Sequence, residues 1–259
     1  MIERIIHQIW LQGEQNIPDK YKLNIKSVKD FHQKWNYILW DEIKILKVIN
    51  TKKEWSSIYY KFIYIHQKID FAKYVILYLF GGIYIDIDVK IIKSFDEIIK
   101  KNEEYELIIS ELNINLIESI LTSGYKKSYN NGIIIAQKKS NILKKLIDSI
   151  IKKYYIPFFH FKVMLINNTT GPNIFTDIIT KNKKNIKILN NDYLEPCIRD
   201  DCTITKNTIA IHKHDLTWVP DDLKTIIDIY MKNKIVLLII IIVLVIILYR
   251  KLHLNFGSI

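Results

Sequence analysis

The chain has 259 residues, 49% hydrophobic and 25% charged, a globular composition that excludes a disordered polymer and suffices for one large α/β domain or two small ones. Its formal net charge of +11 rests on scattered lysines, not on the Arg-rich stripes with interleaved aromatics that nucleic-acid binding calls for, so no nucleic-acid partner is expected. Solvated Lys-rich faces remain, or attraction to anionic lipid and nucleotide phosphates. With only two cysteines, Cys197 and Cys202, there is no disulfide framework. They form either one bridge or two free thiols, and together with His212 and His214 they match no familiar zinc-ligand spacing.

Residues 5–10 read as a strand, with no signal-peptide core before them, and residues 35–40 as a second. Between 70 and 80, Phe71, Tyr74, Val75, Tyr78 and Leu79 recur at helical spacing, and Gly81 supplies a stop. A strand is predicted over 83–89. After a polar stretch, 132–136 is another strand. Ser140 is expected to cap a helix that carries Ile142, Leu143, Leu146, Ile147 and Ile150 on one face. Thr170-Gly171-Pro172 introduces a helix to about residue 180, and 186–189 and 208–211 are short strands. Strands alternating with helices predict an α/β sheet.

The character changes near residue 231. Residues 235–249 are an unbroken apolar run, with Lys232 and Lys234 on one side and Arg250 and Lys251 on the other. A run with no polar face, bracketed by cations, predicts a transmembrane helix over 235–249. The division expected is a globular domain over 1–230, a basic juxtamembrane linker over 231–234, the helix, and a short tail over 250–259. The helix would rise about 22 Å, short of a hydrocarbon core of about 30 Å. Snorkelling cations or a thin membrane, of ER or Golgi type or virion-associated, accommodate the difference.

The segment richest in chemistry is Asp70-Phe71-Ala72-Lys73-Tyr74 followed by Gly81-Gly82-Ile83-Tyr84-Ile85-Asp86-Ile87-Asp88-Val89. In a strand, Ile83, Ile85 and Ile87 face one layer and Tyr84, Asp86 and Asp88 the other. Two carboxylates converging at a strand's carboxyl end repel each other unless a cation sits between them. Mg²⁺ or Mn²⁺ takes carboxylate and phosphate oxygens together, and open α/β sheets bind ligands at that end.

This block resembles the signature of the glycosyltransferase family with the DXD-containing sugar-binding region. That family includes yeast initiating α-1,6-mannosyltransferases and inositol-phosphoceramide mannosyltransferases, with the clostridial glucosylating toxins as distant relatives. Ile5-Ile6-His7-Gln8-Ile9-Trp10 resembles its opening strand, Tyr37-Ile38-Leu39-Trp40-Asp41 its second strand, and Asn131-Gly132-Ile133 the segment after its acceptor-side loop. Thr170-Gly171-Pro172 resembles its helix start, and Ile211-His212 with Thr217-Trp218 its closing element.

The resemblance implies a GT-A-type nucleotide-sugar-binding fold with a mostly parallel mixed sheet over 1–230, plus the C-terminal transmembrane helix. It implies a metal-dependent, retaining transfer of a hexose from a nucleotide-sugar, a UDP-sugar or GDP-mannose, to a glycan, glycolipid or protein hydroxyl. Asp88, Asp86 and His212 would hold Mn²⁺ or Mg²⁺. Asp86 would also face the donor's ribose or sugar, and Asp70 would accept from its hydroxyls. Trp10 would line the base and Trp218 the diphosphate. Lys73 stands where the family usually has Arg, which keeps the charge and loses the bidentate fork. Two rival readings are a catalytically inactive, membrane-attached nucleotide-sugar-binding protein, and a phosphatase of the haloacid-dehalogenase type, whose motif also begins D-x-D.

Overall fold

The computed structural model describes residues 1–198 and 201–212. They belong to one unit, Met1–Asp215; a second, Leu216–Ile259, lies outside the described residues, and with it Trp218 and the 235–249 run. The first half of the chain gives β1 (Ile5–Ile9), α1 (Asp19–Phe31), β2 (Asn36–Trp40), α2 (Glu42–Ile49), α3 (Lys53–Tyr59), α4 (Ile65–Phe80), β3 (Gly82–Ile85), β4 (Val89–Ile91) and α5 (Asp96–Lys100). There follow β5 (Leu107–Ser110), α6 (Leu116–Ser123), β6 (Ile133–Ala136), α7 (Asn141–Lys153), α8 (Lys162–Thr169), α9 (Pro172–Lys181) and β7 (Ile186–Leu189). The last described elements are α10 (Asn191–Leu194), β8 (Cys197–Ile198), β9 (Asp201–Cys202) and β10 (Ala210–His212).

Six strands form one sheet in the order β2-β1-β3-β6-β5-β7, and only β6 runs against the rest. This is the mostly parallel mixed sheet expected. The period of two along each strand divides the core into two layers. Ile83, Ile85, Ile133 and Ile135 pack with Val28 and Phe95 on one face. Tyr84, Ile134 and Ala136 pack on the other, with the apolar sides of α4, α7 and α9.

Helix α4 runs a turn further toward the N-terminus than the pattern showed. Every residue from 70 to 77 is buried, Asp70 and Lys73 among them, so the two charges must find partners inside the protein. Helix α7 forms as expected: Ser140 Oγ accepts from the Leu143 N–H at 3.3 Å, and the five predicted apolar residues are all buried. Among the described residues, no helix is long and apolar enough to cross a membrane.

One expectation is corrected. The strand predicted over 83–89 ends at Ile85, the Val89 N–H closes a turn onto the Asp86 carbonyl at 3.2 Å, and β4 leaves to pair antiparallel with β10. Asp86 and Asp88 therefore approach each other across a turn, not along one strand face. The turn forms because β6 supports the chain only as far as the Asp86 N–H, which donates to the Gly132 carbonyl at 2.7 Å.

Candidate active site

The turn holding the two aspartates is fixed from three sides. Gln8 Nε2 donates to the Asp86 carbonyl at 3.4 Å, Asn24 Nδ2 to the Ile87 carbonyl at 3.3 Å, and the Ile91 N–H to Ser27 Oγ at 2.9 Å. Upstream, Gly82 has φ of 91°, and a Cβ there would lie 2.3 Å from the Ile5 carbonyl oxygen. The Gly-Gly pair thus lets α4 turn sharply into β3 against β1. Downstream, the pairing of β4 with β10 sets His212 opposite Val89 and brings the imidazole beside the aspartates.

Ligand-competent atoms of Asp86, Asp88 and His212 all lie within 4.8 Å of one another. His212 Nε2 is 3.3 Å from Asp88 Oδ1, and its Nδ1 is 3.0 Å from Oε1 of the fully buried Glu195. Asn130 Nδ2 stands 3.1 Å from the same Nδ1, while its Oδ1 accepts from the Gly132 N–H at 2.6 Å. A Cβ on Gly132 would fall 2.6 Å from Asp86 Oδ2 and 2.8 Å from His212 Cε1, so only glycine lets β6 pass this close. Tyr84 donates its hydroxyl to Asp86 Oδ1 at 2.6 Å.

A second group abuts this one. Lys73 Nζ pairs with Asp70 Oδ1 at 2.7 Å and lies 5.1 Å from the centre of the Tyr84 ring. Asn131 Nδ2 donates to Asp70 Oδ1 at 3.1 Å and to the Tyr74 hydroxyl at 2.8 Å, and Thr170 Oγ1 donates to Asp70 Oδ2 at 3.2 Å. The residues quoted in the N-G-I and T-G-P motifs therefore converge on Asp70.

Electrostatics follow from crowding. Burial pushes the Asp86 carboxyl up against the pull of Lys73, and the neighbouring Asp88 charge pushes it further. Burial raises Asp70 as well, opposed by Lys73. Burial depresses the His212 imidazole, but Glu195 and Asp88 more than reverse that and carry it well above its ordinary range. Among the described residues, four carboxylates thus face one ammonium and one imidazole, a balance that a divalent cation would correct. Two carboxylate oxygens and one imidazole nitrogen suit Mn²⁺ better than Mg²⁺, which prefers an all-oxygen shell.

Of the remaining expected residues, Trp10 sits half-buried just past β1, its Nε1 donating to the Asn16 carbonyl at 3.1 Å and its ring 5.9 Å from that of Tyr21. Trp218 lies outside the described residues. Cys197 and Cys202 are joined in a disulfide that closes the β8–β9 hairpin just after Glu195, so neither offers a thiolate to zinc. Sequence reasoning missed Glu195, Asn130, Thr170 and Tyr84 as parts of the site. The last two stand inside quoted motifs, whereas Glu195 carries no sequence signal.

Comparison with known proteins gives the class. The family described as a glycosyltransferase sugar-binding region containing a DXD motif matches residues 18–105, a span that includes Asp70, Lys73, Asp86 and Asp88. That region is therefore of the DXD sugar-binding type, and the chain is a glycosyltransferase by class. It is similar to an uncharacterised glycosyltransferase of Acanthamoeba polyphaga mimivirus, 29% identical over 90% of both chains. It is also similar to inositol phosphoceramide mannosyltransferase 1 of Schizosaccharomyces pombe, 35% identical over 39% of this chain and 32% of that one, so it spans only about a third of this yeast relative's length. A solved galactosyltransferase, LgtC, in complex with donor and acceptor sugar analogues, matches with a TM-score of 0.46 at 16% identity over 84% of this chain and 90% of that one.

Proposed function

We propose that the chain is a metal-dependent, retaining hexosyltransferase of the GT-A type, using a nucleotide-sugar donor and a hydroxyl acceptor on a glycan, lipid or protein. The observation that carries this reading is the meeting of Asp86, Asp88 and His212 from two distant stretches of chain. In it, residues 1–230 are the catalytic domain, and the apolar run at 235–249 anchors it to a membrane.

Asp88 and His212 Nε2 would hold Mn²⁺, with Asp86 completing the protein ligands. Such an ion neutralises charge gained by a departing nucleoside diphosphate. The chain's own groups position the donor. Asp70, held by Lys73, Asn131 and Thr170, would accept from sugar hydroxyls. Lys73 adds positive charge between Asp70 and Asp86. Trp10 offers an aromatic edge at the end of β1 for the base. Positioning and electrostatics supply the rate, and no general base is assigned. The names of the yeast relatives speak of mannosyl transfer and inositol phosphoceramide, so among the candidate donors GDP-mannose is the first to try, with inositol phosphoceramide the first acceptor.

The test is hydrolysis of a panel of UDP- and GDP-sugars, with Mn²⁺ or with chelator, following the anomer first released by NMR. One donor should turn over only with metal, and its sugar should emerge with its starting anomeric configuration. No turnover, with nucleotide binding indifferent to metal, would instead support the inactive binding module.

A further inference from the structure

The stretch between α7 and α8 carries apolar side chains that the fold leaves uncovered. Phe158 is fully exposed, Phe159 81%, Tyr155 69%, Phe161 65% and, in α8, Met164 58%. Isolated exposed apolar residues are ordinary, but five within ten positions form a patch that calls for an explanation.

The loop that bears them is anchored. Tyr154 packs edge-on to Phe62 with ring centres 5.0 Å apart. His160 Nδ1 is 3.0 Å from the Pro157 carbonyl, and its Nε2 is 3.4 Å from the Tyr64 hydroxyl. Lys162 Nζ lies 5.7 Å from the centre of the Tyr64 ring. Side chains at 154 and 160 thus hold the loop to the protein, while those at 155, 158, 159 and 161 are turned to the outside.

Charge indicates what the patch meets. From residue 149 to 176 there is no carboxylate, and Lys152, Lys153 and Lys162 flank the aromatics. Protein interfaces are depleted in lysine. Membrane-surface segments combine Phe, Tyr and Lys, the rings entering the headgroup boundary and the ammonium groups meeting anionic lipid. The net charge of +11 has the same sign. We propose that the 154–164 segment inserts its aromatic side chains into the interface of an anionic membrane.

The placement suits a membrane-borne acceptor. Tyr64, which holds the loop, immediately precedes α4, and Asp70 follows six residues later, about 9 Å along the helix. The inference goes beyond the donor chemistry above, and its test uses no nucleotide.

Phe159→Cys in the full chain, with its two native cysteines in their disulfide, is labelled with an environment-sensitive fluorophore. Lys26→Cys, on an exposed turn of α1, is the control. Each is mixed with phosphatidylcholine vesicles with and without phosphatidylserine, some carrying a nitroxide at headgroup depth. The label at 159 should shift to the blue and be quenched by the nitroxide, more strongly with phosphatidylserine, while the label at 26 stays water-like. If the protein sediments with vesicles while the label at 159 remains water-like, attachment lies elsewhere and the proposal fails. Protection of 159 without lipid, growing with protein concentration, would assign the patch to a second copy of the chain and overturn it equally.

Discussion

A carboxylate with no exposed surface must find a partner, and Glu195 finds Nδ1 of His212 at 3.0 Å. With the proton on Nδ1 and donated to Glu195, the Nε2 lone pair is directed to the side where Asp88 stands, as metal-ligating histidines require. Glu195→Gln should therefore weaken Mn²⁺ binding by about 10- to 100-fold. Titration calorimetry checks this, with circular dichroism confirming an unchanged fold; unaltered affinity would make Glu195 a packing residue only. Gly132 acts through space. Gly132→Ala sets a methyl against Asp86 and His212, and donor hydrolysis should fall about a hundredfold in kcat/KM through misplacement of the cluster.

At the scale of elements, His7 joins three parts of the fold. Its Nε2 donates to the Gly81 carbonyl at 2.9 Å, and its Nδ1 accepts from Trp40 Nε1 at 3.1 Å, which ties β1 to β2 and to the α4–β3 turn. Burial lowers its pKa from 6.5 to about 4, so the ring is neutral in the folded protein. A lowered folded pKa contributes stability that is full above pH 6.5 and is lost as pH falls toward 4, up to about 3 kcal/mol. Chemical denaturation at neutral pH and near the lower limit should show that loss, and His7→Gln should flatten it. The H-Q-I-W string could be read as the family's first strand, but the part played by its histidine could not, because Gly81 and Trp40 are distant in sequence. The same reason governs the rest. Helix α7 was legible because its buried face repeats at 3.6 residues, whereas α1 buries only Tyr21 and Val28 and shows no stripe. Asp70, Asp86 and Asp88 were legible because one continuous motif contains them. The break after Ile85 was not, since alternation continues in the sequence where the chain turns away from the sheet.

At the scale of the whole molecule, a chain of net charge +11 gathers four carboxylates, Asp70, Asp86, Asp88 and Glu195, around Lys73 and His212. The lysines are dispersed, and among the described residues Lys73 and His212 are the cations that oppose the carboxylates directly. On the proposed reading, a divalent cation that binds the folded site alone should also stabilise the fold. Metal and protons would compete there: Asp86 is raised by burial, and His212 by Glu195 and Asp88 against burial, and both would have to lose protons to coordinate a proposed metal. Apparent affinity should accordingly climb as pH rises through and above the ordinary histidine range. The most direct measurement is titration of the full chain with Mn²⁺, following the free-ion electron paramagnetic resonance signal, for the wild type and Asp88→Asn. The account predicts one site per chain, tighter at the higher pH and lost in Asp88→Asn. Equal Mn²⁺ binding by the two proteins, or none by either, would contradict it.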